Sequence, residues 1–163
     1  MTRHVFFSFH YQPDNWRASQ IRNIGVVDGN KPAHDNDWET VKRGGDAAIE
    51  TWIREQMKGR SCALVLVGAQ TAKRKWIDFE IIESWKAGMG VSAIHVHGLK
   101  DSDGRTSYKG SNPFDHLTLG QKRFSDVVKC YDPPGSQSTN IYKWISDNLN
   151  AIVEESVHIR KRH

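Results

Sequence analysis

Trp76 and Glu80 stand four residues apart in the run Lys73-Arg74-Lys75-Trp76-Ile77-Asp78-Phe79-Glu80. On a helix that spacing makes a large aromatic and a carboxylate neighbours on one face. An aromatic plane beside an anion suits a flat ring carrying positive charge, such as nicotinamide. The plainer reading of Glu80 is a solvated helix glutamate, and spacing alone does not choose between the two. Phe7-Ser8-Phe9-His10 offers a second group: aromatic walls, a hydroxyl and an imidazole, or simply a strand end with alternating side chains. His95 and His97, two apart in a strand-like run, face one side. No third ligand lies at short spacing, and catalytic zinc normally takes three protein ligands, so a metal site is not expected. Asp37/Glu39 and Asp101/Asp103 fall in polar loops, where solvation is the default.

Other chemistries find no footing. The chain has no G-x-G-x-x-G fingerprint and no G-x-x-x-x-G-K-[ST] loop, the two commonest phosphate cradles. It has no nucleophile elbow with a following acid and histidine.

The elements that must position these residues alternate. His4–Phe9 reads as a first strand and Asn15–Arg22 as a helix with Asp14 as its N-cap. Ile24–Asp28 is a weak second strand, followed by a polar, irregular stretch over 29–43. Asp46–Met57 has helical spacing of Ala47, Ala48, Trp52 and Ile53, with Gly59 as a stop. Cys62–Val67 is a continuous apolar run, the pattern of a strand covered on both faces. A helix within 71–87, closed by Gly88, carries Ile77, Phe79, Ile81, Ile82 and Trp85 on its core side, which places Trp76 and Glu80 off that side at about 100° per residue. Val91–Val96 is the next strand, 98–123 a long loop, Val127–Tyr131 a last strand and Asn140–Val157 a closing helix. Such alternation predicts an α/β parallel sheet with helices on both faces. Ligands in these folds sit at the carboxyl ends of the strands, where the residues above gather.

Bulk properties agree with one domain over 1–163. Hydrophobic residues make up 37% and charged residues 26%, a globular balance. No apolar run approaches the roughly 20 residues of a spanning helix, and the N-terminal run is too short for a signal peptide. Cys62 and Cys130, both in apolar runs, read as buried reduced thiols, and a cytoplasmic location is expected. A net charge of +4 favours anionic ligands only mildly, and without a recognised motif it does not point to nucleic acid.

Taken in order, Phe6-Phe7-Ser8-Phe9, Gly68-x-Gln70-Thr71, Trp76-x-x-x-Glu80, Ile94-His95-Val96-His97 and Asn112-Pro113-Phe114-Asp115 resemble the TIR-like family, most closely the TIR-like proteins of bacterial Thoeris anti-phage systems. The resemblance spans roughly residues 3–150. It implies a flavodoxin-like, three-layer domain with a five-stranded parallel sheet. It also implies an enzyme that cleaves the nicotinamide–ribose bond of NAD without a cofactor and makes an ADP-ribose-derived signal, often cyclic, for a separate effector. The family's catalytic glutamate falls on Glu80, its aromatic partner on Trp76, and its strand-one pocket near Phe7, Ser8, Phe9 and His10. A phage-derived trigger and self-association are expected; a membrane or nucleic-acid partner is not. Many members carry Ser or Cys just before the Trp, where this chain has Lys75, so the helix start and pocket charge differ. Lys73 or Arg74 could meet the pyrophosphate, against the plainer reading of a solvated basic surface. The rival reading is a non-catalytic adaptor module, with Glu80 a surface glutamate and Trp76 an interface anchor.

Overall fold

A computed structural model describes residues 2–30 and 41–163. The expectations for 31–40, including the Asp37/Glu39 pair, lie outside the described residues. The elements run β1 (His4–Ser8), α1 (Tyr11–Arg22), β2 (Asp28–Gly29), α2 (Asp46–Met57), β3 (Cys62–Val67), α3 (Lys75–Lys86), β4 (Gly90–His95), β5 (Thr118–Leu119), β6 (Lys122–Arg123), a 3-10 turn (Phe124–Asp126), β7 (Cys130–Tyr131) and α4 (Ser138–Lys161).

Strands β2-β1-β3-β4-β7 form a five-stranded sheet in which every pairing is parallel. This is the flavodoxin-like order, and it reverses between β1 and β3. The sheet divides the core. On one face, Phe7, Leu64, Leu66, Ile94 and Val96 pack against Ala18 and Ile21 of α1 and the Ile141-Ile145-Leu149-Val153 stripe of α4. On the other, Phe6, Ala63, Val65, Val67, Val91 and Ala93 meet Ile49, Ile53 and Met57 of α2 and Ile77 and Ile81 of α3. Burial on both faces explains the unbroken apolar run of β3; all six residues of β3 and of β4 are buried, Ser92 and His95 of β4 included. Each buried Val or Leu contributes about 1.5–3 kcal/mol.

Several expectations need correction. Helix α1 begins at Tyr11 with His10 as N-cap, so Asp14 lies inside the helix, buried rather than capping. The sequence hides this because Asp14 is paired with Arg17, also buried, one turn on. In α2 the buried stripe is Ile49, Ile53 and Met57, not the alanines. The last strand shrinks to Cys130–Tyr131, because Phe124–Asp126 forms the 3-10 turn and leads into it. The expected loop over 98–123 contains the β5–β6 hairpin. Both cysteines are free; Cys62 is buried and Cys130 only half-buried, and burial pushes both thiols up to about 12.

Candidate active site

The site is built where β1 and β3 end and α3 begins. Phe6 packs on the α2/α3 face and Phe7 on the α1/α4 face, so strand alternation turns Ser8 toward α3. Its hydroxyl donates to Glu80 Oε1 across 3.1 Å. Ser8 is buried, while Glu80 keeps partial solvent contact. The protein nonetheless crowds the carboxyl closely: burial pushes it up to about 8, opposed by the Ser8 hydrogen bond. A carboxyl in that state holds its proton at neutral pH and gives it up when a positive charge arrives.

This revises the expected placement of Glu80. Ile77, Ile81 and Ser84 form the buried stripe of α3, whereas Ile82 is exposed. A small polar residue, Ser84, takes a place that hydrophobicity assigned to Ile82, and the helix is rotated accordingly. Glu80 therefore borders the sheet-facing stripe instead of lying off it. Trp76, one turn earlier, is half-buried and packs edge-on against Phe79, with centroids 5.6 Å apart and planes at 79°. The Lys75 ammonium lies 4.9 Å from the Trp76 ring centroid and also pairs with Asp46. Lys75 thus opens the helix with its charge already engaged on one side of the indole.

The other strand-one residues diverge. Phe7 is a core side chain on the opposite face, its backbone N–H donating to Asn30 Oδ1 at 2.7 Å. Phe9 also packs toward that face and stacks on Tyr11. His10 is half-buried and its Nδ1 has no hydrogen-bond partner among the described residues. Burial, then the nearby Arg74 charge, lowers its pKa, with Asp14 opposing. Of this group, Ser8 is the residue hydrogen-bonded to Glu80.

Three features escaped the sequence. First, Arg17 is nearly inaccessible and binds Asp14 Oδ1 (2.8 Å) and the carbonyls of Pro13, Leu99 and Arg105. Asp14 fills the space beside Gly68, where an added Cβ would stand 2.1 Å from Asp14 Oδ2. Burial raises the Asp14 carboxyl, with Arg17 opposing. The single signal available was the i, i+3 spacing of the two charges. Second, the segment after β4 folds back over the strand ends: Ser107 N–H donates to the His97 carbonyl at 2.9 Å. Gly110 approaches so closely that a Cβ would lie 2.1 Å from the Gly68 carbonyl oxygen. Third, His116 bonds Asp78 of α3 at 2.9 Å. Asn112 Oδ1 caps the Phe114 N–H, seating Phe114 in the core against Phe124. His95 and His97 lie together with ring centroids 5.7 Å apart. Among the described residues no group of three or more His, Cys, Asp or Glu is placed to hold a metal ion.

A parallel sheet of order β2-β1-β3-β4-β7 with a half-buried acid at its carboxyl edge defines a class: flavodoxin-like α/β proteins whose ligands bind at the strand ends. Residues 6–101 match the family model described as Thoeris protein ThsB, TIR-like domain. The chain is also 34% identical over 162 residues to a Bacillus cereus (strain MSX-D12) protein named "Putative cyclic ADP-D-ribose synthase ThsB1", covering 96% of this chain and 84% of the relative. The chain belongs to the TIR-like family of Thoeris ThsB proteins. Among the described residues no helix is long and apolar enough to cross a membrane.

Proposed function

We propose that this protein cleaves the nicotinamide–ribose bond of NAD and converts the remainder into a cyclic ADP-ribose-type signal for a separate effector in anti-phage defence. The observation that carries the reading is the Ser8–Glu80 contact: a carboxyl with a raised proton affinity at the carboxyl edge of the sheet, one helical turn from an indole. The printed name of the Bacillus cereus relative supports the product class.

The nicotinamide ring of NAD is a cation. Brought beside Glu80 and Trp76, it favours the ionised carboxylate, and the proton leaves to solvent through the open side of Glu80. As the glycosidic bond breaks, its electron pair passes to the ring nitrogen and nicotinamide departs neutral. Positive charge moves onto the ribose, where the Glu80 carboxylate stabilises the oxocarbenium-like transition state. The Ser8 hydroxyl holds the carboxylate in place. Capture of the ribose carbon by a nitrogen of the same molecule closes a ring; capture by water gives linear ADP-ribose. NAD is a substrate here, and neither a metal nor a further cofactor enters the scheme.

The test is nicotinamide release and small-molecule mass spectrometry in lysates of infected cells expressing the protein or its Glu80→Gln variant. A new ADP-ribose-derived species present with the wild type and absent with the variant is expected. Equal signals from both would remove Glu80 from the chemistry. Loss of defence with no change in NAD products would favour the adaptor reading.

A further inference from the structure

The histidines at the end of β4 have no part in the scheme above, yet they share its face of the sheet. Val91 and Ala93 point toward α2 and α3 while Ile94 and Val96 point to α1 and α4, so His95 lies on the Ser8 side. The pairings Ser8↔Val65 and Val65↔Ala93 put Ser8 and Ala93 in one row across the sheet. His95 is two strands over and two residues further along, about 12 Å from Ser8 at about 4.8 Å between strands and about 3.3 Å per residue. The two riboses of a dinucleotide, joined by a pyrophosphate, can span that separation.

His95 is 5% exposed, yet its Nδ1 has no hydrogen-bond partner among the described residues. The same is true of His97 Nδ1 and of Ser107 Oγ, whose backbone is tied to His97. Three buried polar atoms left unpaired, two of them on rings 5.7 Å apart, are unusual, since such atoms are normally satisfied. The nearby charges are already engaged: Lys109 and Asp132 with each other at 2.8 Å, and Arg17, which also acts on His97, with Asp14. Burial is the first influence on both imidazoles and lowers their pKa values. A neutral imidazole presents one donor and one acceptor, which matches an uncharged, donor-and-acceptor ligand better than a phosphate.

We propose that His95, His97 and Ser107 form a subsite for the adenosine end of the dinucleotide, at the carboxyl end of β4 on the sheet face that carries Ser8. This rests on the reading of Glu80 as the nicotinamide end.

The test is a titration of the full chain followed by NMR, reading the His95 and His97 ring signals and the Trp76 indole signal. NAD is expected to shift all three, nicotinamide mononucleotide the indole alone, and adenosine monophosphate the histidines alone. NAD moving Trp76 but not the histidines sinks the subsite and leaves the reading of Glu80 intact. NAD moving none of them sinks both. Inorganic pyrophosphate shifting the histidines as adenosine monophosphate does would mark a phosphate site and overturn the assignment. His97→Phe, at the rim, should weaken NAD binding about tenfold with nicotinamide mononucleotide binding unchanged; an equal loss for both ligands would mean the ring only packs.

Discussion

Ser8 and Glu80 come from elements 72 positions apart in the chain and meet at 3.1 Å, hydroxyl to carboxyl. That hydrogen bond is the one influence opposing the burial that raises Glu80. Ser8→Ala should therefore raise the Glu80 proton affinity further. The pH dependence of NAD cleavage should move to higher pH, with about a tenfold loss at neutral pH, the size of one lost hydrogen bond to a charged group. A pH–rate profile that does not move would show the contact to be incidental.

Glu80→Gln should lower turnover at least about a hundredfold, the usual scale for removing an electrostatic stabiliser of the transition state. The same variant should not lose stability at neutral pH. Glu80 has an ordinary value of 4.5 and is held up to about 8 in the folded chain. The folded state thus binds the proton more tightly than the unfolded chain, so the stability associated with this group is fullest below about 4.5 and declines as pH rises to about 8. Thermal unfolding of wild type and variant, compared across that window, should show the variant gaining relative to wild type as pH increases. A variant that becomes relatively weaker with rising pH would contradict the raised value.

Chelating agents should leave turnover unchanged. His95 and His97 are adjacent, but no third donor joins them among the described residues. Strong inhibition, reversed by adding back a divalent ion, would return the pair to consideration as metal ligands.

Arg17→Ala should destabilise the fold by about 3–5 kcal/mol, because it strands the buried Asp14 carboxyl without its partner. Gly68→Ala should be destabilising too, by about 1–3 kcal/mol, since the new methyl group meets that same carboxyl. Chemical denaturation measures both. An unchanged midpoint in either variant would show that this corner yields more easily than its packing implies.

The parts of the molecule legible from the sequence are those governed by local pattern. Cys62–Val67 and Asp46–Met57 form the expected elements with the expected ends, because continuous apolar runs and helical spacing need no distant partner to be read. The orientation of α3 was not legible in the same way. Ser84 is fully buried, its hydroxyl on Met57 Sδ of α2, and Ile82 is exposed, an exchange that depends on a distant partner. Asp14 reads as a helix cap until Arg17 and Gly68 are placed around it. Phe7 and Phe9 look like pocket walls in a linear string, but alternation sends them to the face away from Ser8. The role assigned to Glu80 came from family likeness; its contact with Ser8 came only from the fold.

Arg17 sits on the helix layer away from Glu80, yet it grips the carbonyls of Leu99 and Arg105, and its partner Asp14 braces Gly68. The turns leaving β3 and β4 are thus riveted to a single post rooted behind the sheet. Neither turn can lift without straining the other, since Gly110 lies against the Gly68 carbonyl. The same brace reaches α3, whose Asp78 is held by His116, so the helix that carries Trp76 and Glu80 is moored to the far side of the sheet through one continuous strap.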